Sequence, residues 1–286
     1  MKRKSRKKLL YFFIGVILLI CFCYFQNNYI VTTEYNYSSK KVPKSFDGYK
    51  IVQLSDLHGK SFGENQKHLM NKITKVKPNL IVFTGDLIDS NRYNEKNSLL
   101  LMEKLVQIAP VYYVTGNHEW RSGKFNSLET SLNDIGVHVM RDTYAEIQNG
   151  NHKMYLLGID DPAHRNESYS EQSITEERIK SLNNAIKDEN NIKILLSHRP
   201  ELLSLYSRYN IDLEFAGHAH GGQFRIPFAG GLVAPNQGLL PEYTSGMHVK
   251  DNTTMIVNRG LGNSVIPIRI FNQPEIVVLT LKSKNS

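Results

Sequence analysis

The chain has 286 residues, 41% of them hydrophobic and 22% charged, a balance that excludes disordered and fibrous classes and leaves room for one large domain or two small ones. Its formal charge of +8 would by itself suggest a nucleic-acid binder. Six of the 35 basic residues, however, are Lys2, Arg3, Lys4, Arg6, Lys7 and Lys8, and the remaining 29 nearly balance 27 Asp and Glu. The body is therefore close to neutral, and no nucleic-acid partner is expected.

The basic tail, residues 1–8, is followed by seventeen uncharged residues, Leu9 to Phe25, the low end of a membrane-spanning length. A basic flank before an apolar run fits the positive-inside rule, with the N-terminus in the cytoplasm. An uncleaved single-pass signal anchor over residues 9–26 is the expectation, with a catalytic domain over 27–286 outside the cytoplasm. A cleaved signal is the competing reading, but Cys21 to Val31 offers no small-x-small cleavage site. A buried core helix is the third. Both cysteines, Cys21 and Cys23, lie in this segment, so the body has neither disulfides nor thiolate ligands.

Beyond it, short apolar β-rich runs alternate with amphipathic helical runs, an α/β pattern. Five runs each end on a polar residue able to bind metal: Ile51–Ser55 before Asp56, Leu80–Gly85 before Asp86, Val111–Gly116 before Asn117, Ile192–Ser197 before His198, and Ile211–Gly217 before His218. Carboxyl ends of neighbouring parallel strands share one edge of a sheet, so these residues should converge in one crevice there. Helices are predicted over 64–76, 95–109, 126–135, 173–188 and 200–209, the last opening on Pro200. After His220 the strand-like pieces 254–257, 266–271 and 276–281 suggest a second sheet.

Aspartate oxygen, asparagine carbonyl and imidazole nitrogen form a mixed donor set that suits Mn, Fe or Zn. Four histidines among the donors disfavour calcium. A phosphate ester repels nucleophiles, so a cation site that relieves charge and acidifies water suits its hydrolysis. His118, adjacent to Asn117, can supply a proton to the leaving alkoxide.

Asp56-x-His58, Gly85-Asp86-x-x-Asp89, Gly116-Asn117-His118-Glu119, His198 and Gly217-His218-x-His220 together resemble the five-block signature of the calcineurin-like metallophosphoesterase superfamily. Gly221-Gly222-Gln223 with Arg225-x-Pro227, and Asn258-Arg259-Gly260-Leu261-Gly262 with Pro267-x-Arg269, are similar to its membrane-associated bacterial YkuE/YaeI-like branch. The resemblance implies a four-layer α/β/β/α sandwich of two mixed sheets and two divalent metal ions (Mn2+, Zn2+ or Fe2+/3+). It puts one on Asp56, His58, Asp86 and His220 and the other on Asp86, Asn117, His198 and His218, with Asp86 bridging. It further implies attack by a hydroxide shared between the metals, and an Asp89 that orients His118.

The expected substrate is a phosphodiester or pyrophosphate, with a lipid-linked one favoured by the tether. A soluble phosphomonoester or nucleotide is the alternative, and a non-catalytic metal-binding domain the rival of another class. Arg225, Arg259 and Arg269 could present guanidinium groups to phosphate, or pair with acids. His68, His138, His152, His164 and His248 match no block and read as surface or structural residues. Three Asn-x-Ser/Thr matches, at Asn36, Asn166 and Asn252, are near chance and imply no glycosylation. A monomer is expected.

Overall fold

The computed structural model describes residues 2–164, 170–263 and 267–284; Asn166 and the first residue of the 266–271 piece fall outside these. In chain order the elements are α1 (Lys2–Asn28), β1 (Val31–Ser39), β2 (Lys50–Leu54), α2 (Lys67–Val76), β3 (Leu80–Thr84), α3 (Lys96–Leu105), β4 (Val111–Val114), α4 (Asn117–Arg121), α5 (Phe125–Ile135), β5 (His138–Val139), β6 (Thr143–Asn149) and β7 (His152–Gly158). Then follow α6 (Glu171–Ala185), β8 (Lys193–Leu196), α7 (Leu203–Tyr206), β9 (Leu213–Ala216), β10 (Arg225–Ile226), β11 (Gly230–Gly231), β12 (Val233–Ala234), β13 (Gly238–Leu239), β14 (Gly246–Lys250), β15 (Thr253–Val257) and β16 (Glu275–Ser283).

Two six-stranded mixed sheets form the core, in the orders β1-β16-β2-β3-β4-β5 and β14-β15-β9-β8-β7-β6. Side chains alternate across each strand, and that alternation assigns the layers. Leu80 and Val82 of β3 pack between the sheets against Ile194, Phe215 and Ile256. Ile81 and Phe83 of the same strand face outward onto Leu69, Ile73, Leu101 and Leu132 of α2, α3 and α5. On the far side, Leu157 and Leu195 meet Ile179, Leu182 and Tyr206 of α6 and α7. This is the α/β/β/α sandwich implied by the sequence blocks.

Three sequence-based expectations are corrected. The piece ending at Leu281 returns to the first sheet as β16, between β1 and β2, rather than joining a second sheet. Parallel pairing over nine residues with β1 and antiparallel pairing with β2 outweigh its sequence proximity to β15. Residues 267–271 form no strand, only an isolated bridge from Ile270 to Phe224. The helix over 200–209 breaks into 3-10, α and 3-10 turns.

Within α1, the segment Lys7–Asn28 is long and apolar enough to cross a membrane. Only 6% of its apolar window is buried, which removes the core-helix reading: Leu9 to Ile20 turn their side chains outward. Its last turns rest on the body, where the Arg269 backbone N–H donates to Asn27 Oδ1 at 3.2 Å and the rings of Phe22 and Phe271 meet at 5.7 Å.

Candidate metal centre

The polar residues after the five strands do converge, but from two sheets rather than along one edge. β2, β3 and β4 of the first sheet deliver Asp56 and His58, Asp86 and Asp89, and Asn117 and His118; β8 and β9 of the second deliver His198, then His218 and His220. Leaving a strand so abruptly requires unusual backbone. Asp56, His58, Asp86, His218 and His220 all have positive φ, between 46° and 65°, a region that β-branched or bulky residues rarely enter. Close approach of the loops also requires glycine: a Cβ on Gly116 would stand 2.3 Å from Asp86 Oδ1, and one on Gly217 2.0 Å from Ser55 Oγ.

Beside a group of His58, Asp89 and His118 that reaches the rim, two wholly buried groups of side chains among the described residues could each hold a cation, Asp56 with His58, Asp86 and His220, and Asp86 with His198 and His218. Asp86 is common to both. Its Oδ2 lies 3.6 Å from His58 Nε2 and 3.3 Å from His198 Nε2. Ring nitrogens face each other at 3.1 Å across both groups, His58 Nε2 to His220 Nε2 and His218 Nδ1 to His198 Nε2. Such nitrogen pairs, together with Asn117 Oδ1, which is buried without a hydrogen-bond partner, fit a donor set arranged around a cation. His198 Nδ1 is 2.6 Å from the Thr84 carbonyl, so Nδ1–H donates there and leaves Nε2 to face Asp86.

Electrostatics agree with that arrangement. Burial lowers His58 to about 4 and holds His218 and His220 well below the usual imidazole range, so these rings are neutral donors at pH 7. Burial also pushes the Asp56 carboxyl up to about 7, with Asp86 adding to the rise. Burial opposes ionisation of Asp86 too, but His198, His118 and His58 outweigh it and keep the carboxyl well below its ordinary value. His198, despite burial, rises to about 10 through Asp86; its proton plays the counter-charge that a cation would replace.

His118 is half-buried at the rim. Its Nδ1 is 3.1 Å from both the backbone N–H and the hydroxyl of Ser90. The expected Asp89–His118 hydrogen bond is not formed. Asp89 Oδ1 instead accepts from the N–H groups of Asn91 and Arg92 and its Oδ2 pairs with the Arg92 guanidinium at 2.8 Å, because the carboxylate closes a tight turn that aims it back along its own loop. It remains 3.9 Å from His58 Nδ1.

The three arginines offered for phosphate contact are occupied elsewhere. Arg269 is 1% exposed and donates to the carbonyls of Gly262, Arg259 and Asn272. Arg259 pairs with Glu275 at 2.8 Å, and Arg225 donates to the Gly221 carbonyl and Thr244 hydroxyl. All three brace the loops behind the site.

Besides Ser90, two residues at the site carry roles that the sequence reading did not assign. Glu119 is fully buried and accepts from the backbone N–H groups of Asp86, Ile88 and Gly116, tying two ligand loops together. Its position three residues after Gly116 was the available signal, that of a capping-box carboxylate. Arg199 donates to both oxygens of Asp161 and its Nη1 stands 3.4 Å from His218 Nε2. Nothing in the spacing of 199 and 161 announces that pair.

The family model of the calcineurin-like phosphoesterases matches residues 49–222. The chain is 34% identical over 270 residues to the metallophosphoesterase YkuE of Bacillus subtilis (strain 168), covering 92% of this chain and 89% of that one. It is 28% identical over 279 residues to a metallophosphoesterase of Aquifex aeolicus, covering 94% and 98%. A "transmembrane protein with metallophosphoesterase domain" of Danio rerio is 29% identical over 255 residues, 85% of this chain and 55% of that protein.

Proposed function

Because the chain belongs to the calcineurin-like phosphoesterase family and is therefore a metal-dependent phosphoesterase, we propose that it hydrolyses a phosphodiester or pyrophosphate bond at a dinuclear centre, on a membrane-borne substrate. The observation that carries this reading is the pair of buried donor groups sharing Asp86. Asp56, His58, Asp86 and His220 would hold one divalent cation; Asp86, Asn117, His198 and His218 would hold the other. Mn2+, Zn2+ and Fe2+/3+ suit these donors. Cations so held relieve the charge of a phosphoryl group and lower the pKa of water from 15.7 toward about 7.

The chain's own residues do the rest. Thr84 fixes the His198 tautomer, and Glu119 sets the separation of the Asp86 and Asn117 loops. His118 delivers a proton from Nε2 to the leaving oxygen, and the Ser90 hydroxyl steadies the ring by accepting from Nδ1–H, which the ring keeps through the transfer. Asp89 is a positioning residue for the His58 loop. A diester is favoured over a monoester because Arg225, Arg259 and Arg269 direct guanidinium N–H groups to loop carbonyls, a hydroxyl and Glu275 rather than to the donor groups. The helix α1 anchors the protein as a single pass, with tail 1–8 in the cytoplasm and residues 27–286 outside it.

The test is hydrolysis of aryl phosphodiester and phosphomonoester by the full-length protein in detergent, metal-free and with Mn2+ or Zn2+. Diester cleavage should require metal, vanish in Asp86→Ala and fall about 10²–10⁴-fold in kcat in His118→Ala. Equal product from wild type and both variants, or none with any metal, would overturn the mechanism. A monoester preference would overturn the substrate class.

A further inference from the structure

From Ile226 to Pro241 the chain runs sixteen residues without one charged side chain, although 22% of the protein is charged. This stretch folds into the two small hairpins β10–β11 and β12–β13 and turns its largest side chains outward. Phe228 is fully exposed, Leu239 is 77% exposed and Leu240 66%; Phe271, beside the hairpins, is 54% exposed. Fully burying one such side chain is worth about 1.5–3 kcal/mol, and a soluble surface seldom gathers several together without a partner.

Backbone hydrogen bonds make these residues one ribbon. Arg225 N–H donates to the Ile270 carbonyl, Leu232 N–H to that of Phe224, and Leu240 N–H to that of Leu232. One edge of the ribbon touches α1, where Phe271 meets Phe22 and the Arg269 N–H reaches Asn27. The ribbon is also fastened to the metal loop: Leu232 N–H donates to Gly222, and Asn272 Nδ2 donates to the His220 carbonyl.

That continuity identifies the occupant. Phe22 lies six residues before the end of the apolar helix at Asn28, about 9 Å along its axis at 1.5 Å per residue. With α1 across a bilayer, Phe271 stands beside Phe22 at that depth, which matches the 5–10 Å to which interfacial apolar faces enter the headgroup and acyl boundary. We propose that this uncharged ribbon, led by Phe228, Leu239, Leu240 and Phe271, dips into the leaflet from which α1 emerges, forming an apolar ledge that seats the metal centre at the lipid surface. The ledge rests on the anchoring of α1 proposed above and not on the reaction catalysed.

The test uses the full chain with Cys21→Ser and Cys23→Ser, carrying a single NBD-labelled cysteine in place of Phe228, Leu239, Leu18 or Asn190. Each is reconstituted into phosphatidylcholine–phosphatidylglycerol vesicles containing nitroxide-labelled lipid. Leu18 lies within α1, and Asn190 is an exposed loop residue before β8, at the strand ends opposite the metal centre. Labels at 228 and 239 should be blue-shifted and quenched at least about half as strongly as the label at 18, with 190 unquenched. Quenching at 18 with 228 and 239 behaving like 190 overturns the ledge while leaving the anchor intact. An unquenched label at 18 overturns the anchor and the ledge with it.

Discussion

Asp56, His58, Asp86, His218 and His220 sit in left-handed backbone, where an L-residue costs on the order of 1 kcal/mol. Such strain persists where surrounding structure over-determines it, commonly at ligand sites. Here strand pairing lies behind each loop, and the Glu119 hydrogen bonds fasten the one that carries Asp86. The same scale separates Ser90 from Asp89. Ser90→Ala removes the acceptor for the charged His118 ring while keeping the backbone contact, a loss near 1 kcal/mol. The kcat of Ser90→Ala should therefore fall about fivefold with KM unchanged. Asp89→Asn should leave kcat near the wild-type value and lower the melting temperature, since its carboxylate holds a turn and Arg92. The opposite pattern would restore Asp89 as the orienting group. The candidate ligands Asp56, Asp86, Asn117, His198 and His218 were legible because each follows an apolar run; Ser90 was not, because a serine after Asp89 carries no pattern that marks which ring it will meet.

At the scale of elements, β9 places Leu213 and Phe215 between the sheets and so turns Glu214 to the other face, wholly buried. Its Oε1 accepts from Ser197, while Oε2 has no hydrogen-bond partner. Burial raises this carboxyl well above its usual range. An acid with a raised folded pKa binds its proton more tightly in the folded state. Stability from this group is therefore present at low pH and declines as pH rises above the unfolded value near 4.3 toward the folded one. Glu214→Gln keeps the shape without a charge to bury. Its melting temperature should match wild type near pH 4 and exceed it by a few degrees near pH 8. A difference that does not change with pH would show that folding does not shift this carboxyl and would overturn the reading.

For the whole molecule, the point at which α1 meets the body matters as much as its apolar length. Lys60, two residues beyond His58, donates to the Asn27 carbonyl at the end of the helix, and burial, with Arg269 nearby, lowers its ammonium to about 7. The metal loops and the helix terminus are thus parts of one packed corner, and the catalytic body has a fixed side toward any membrane that α1 crosses. Protease added to intact cells should digest residues after 28 and spare an epitope fused before Met1. Digestion only after lysis would put the body in the cytoplasm and reverse the orientation read from the basic tail.

Much local order was written in the sequence: apolar runs with a polar terminus, the uncharged segment before Phe25 and the five blocks determined most strands and helices, the anchor candidate and the candidate ligand types, because each depends on neighbours a few residues away. Tertiary structure alone decided the rest. Which sheet receives 275–283 depends on long-range pairing, and whether Arg269 meets phosphate or a loop carbonyl depends on loops packed around it. That Asp86 stands between two donor groups from different sheets is likewise settled by sheet-on-sheet packing, which no spacing along the chain encodes.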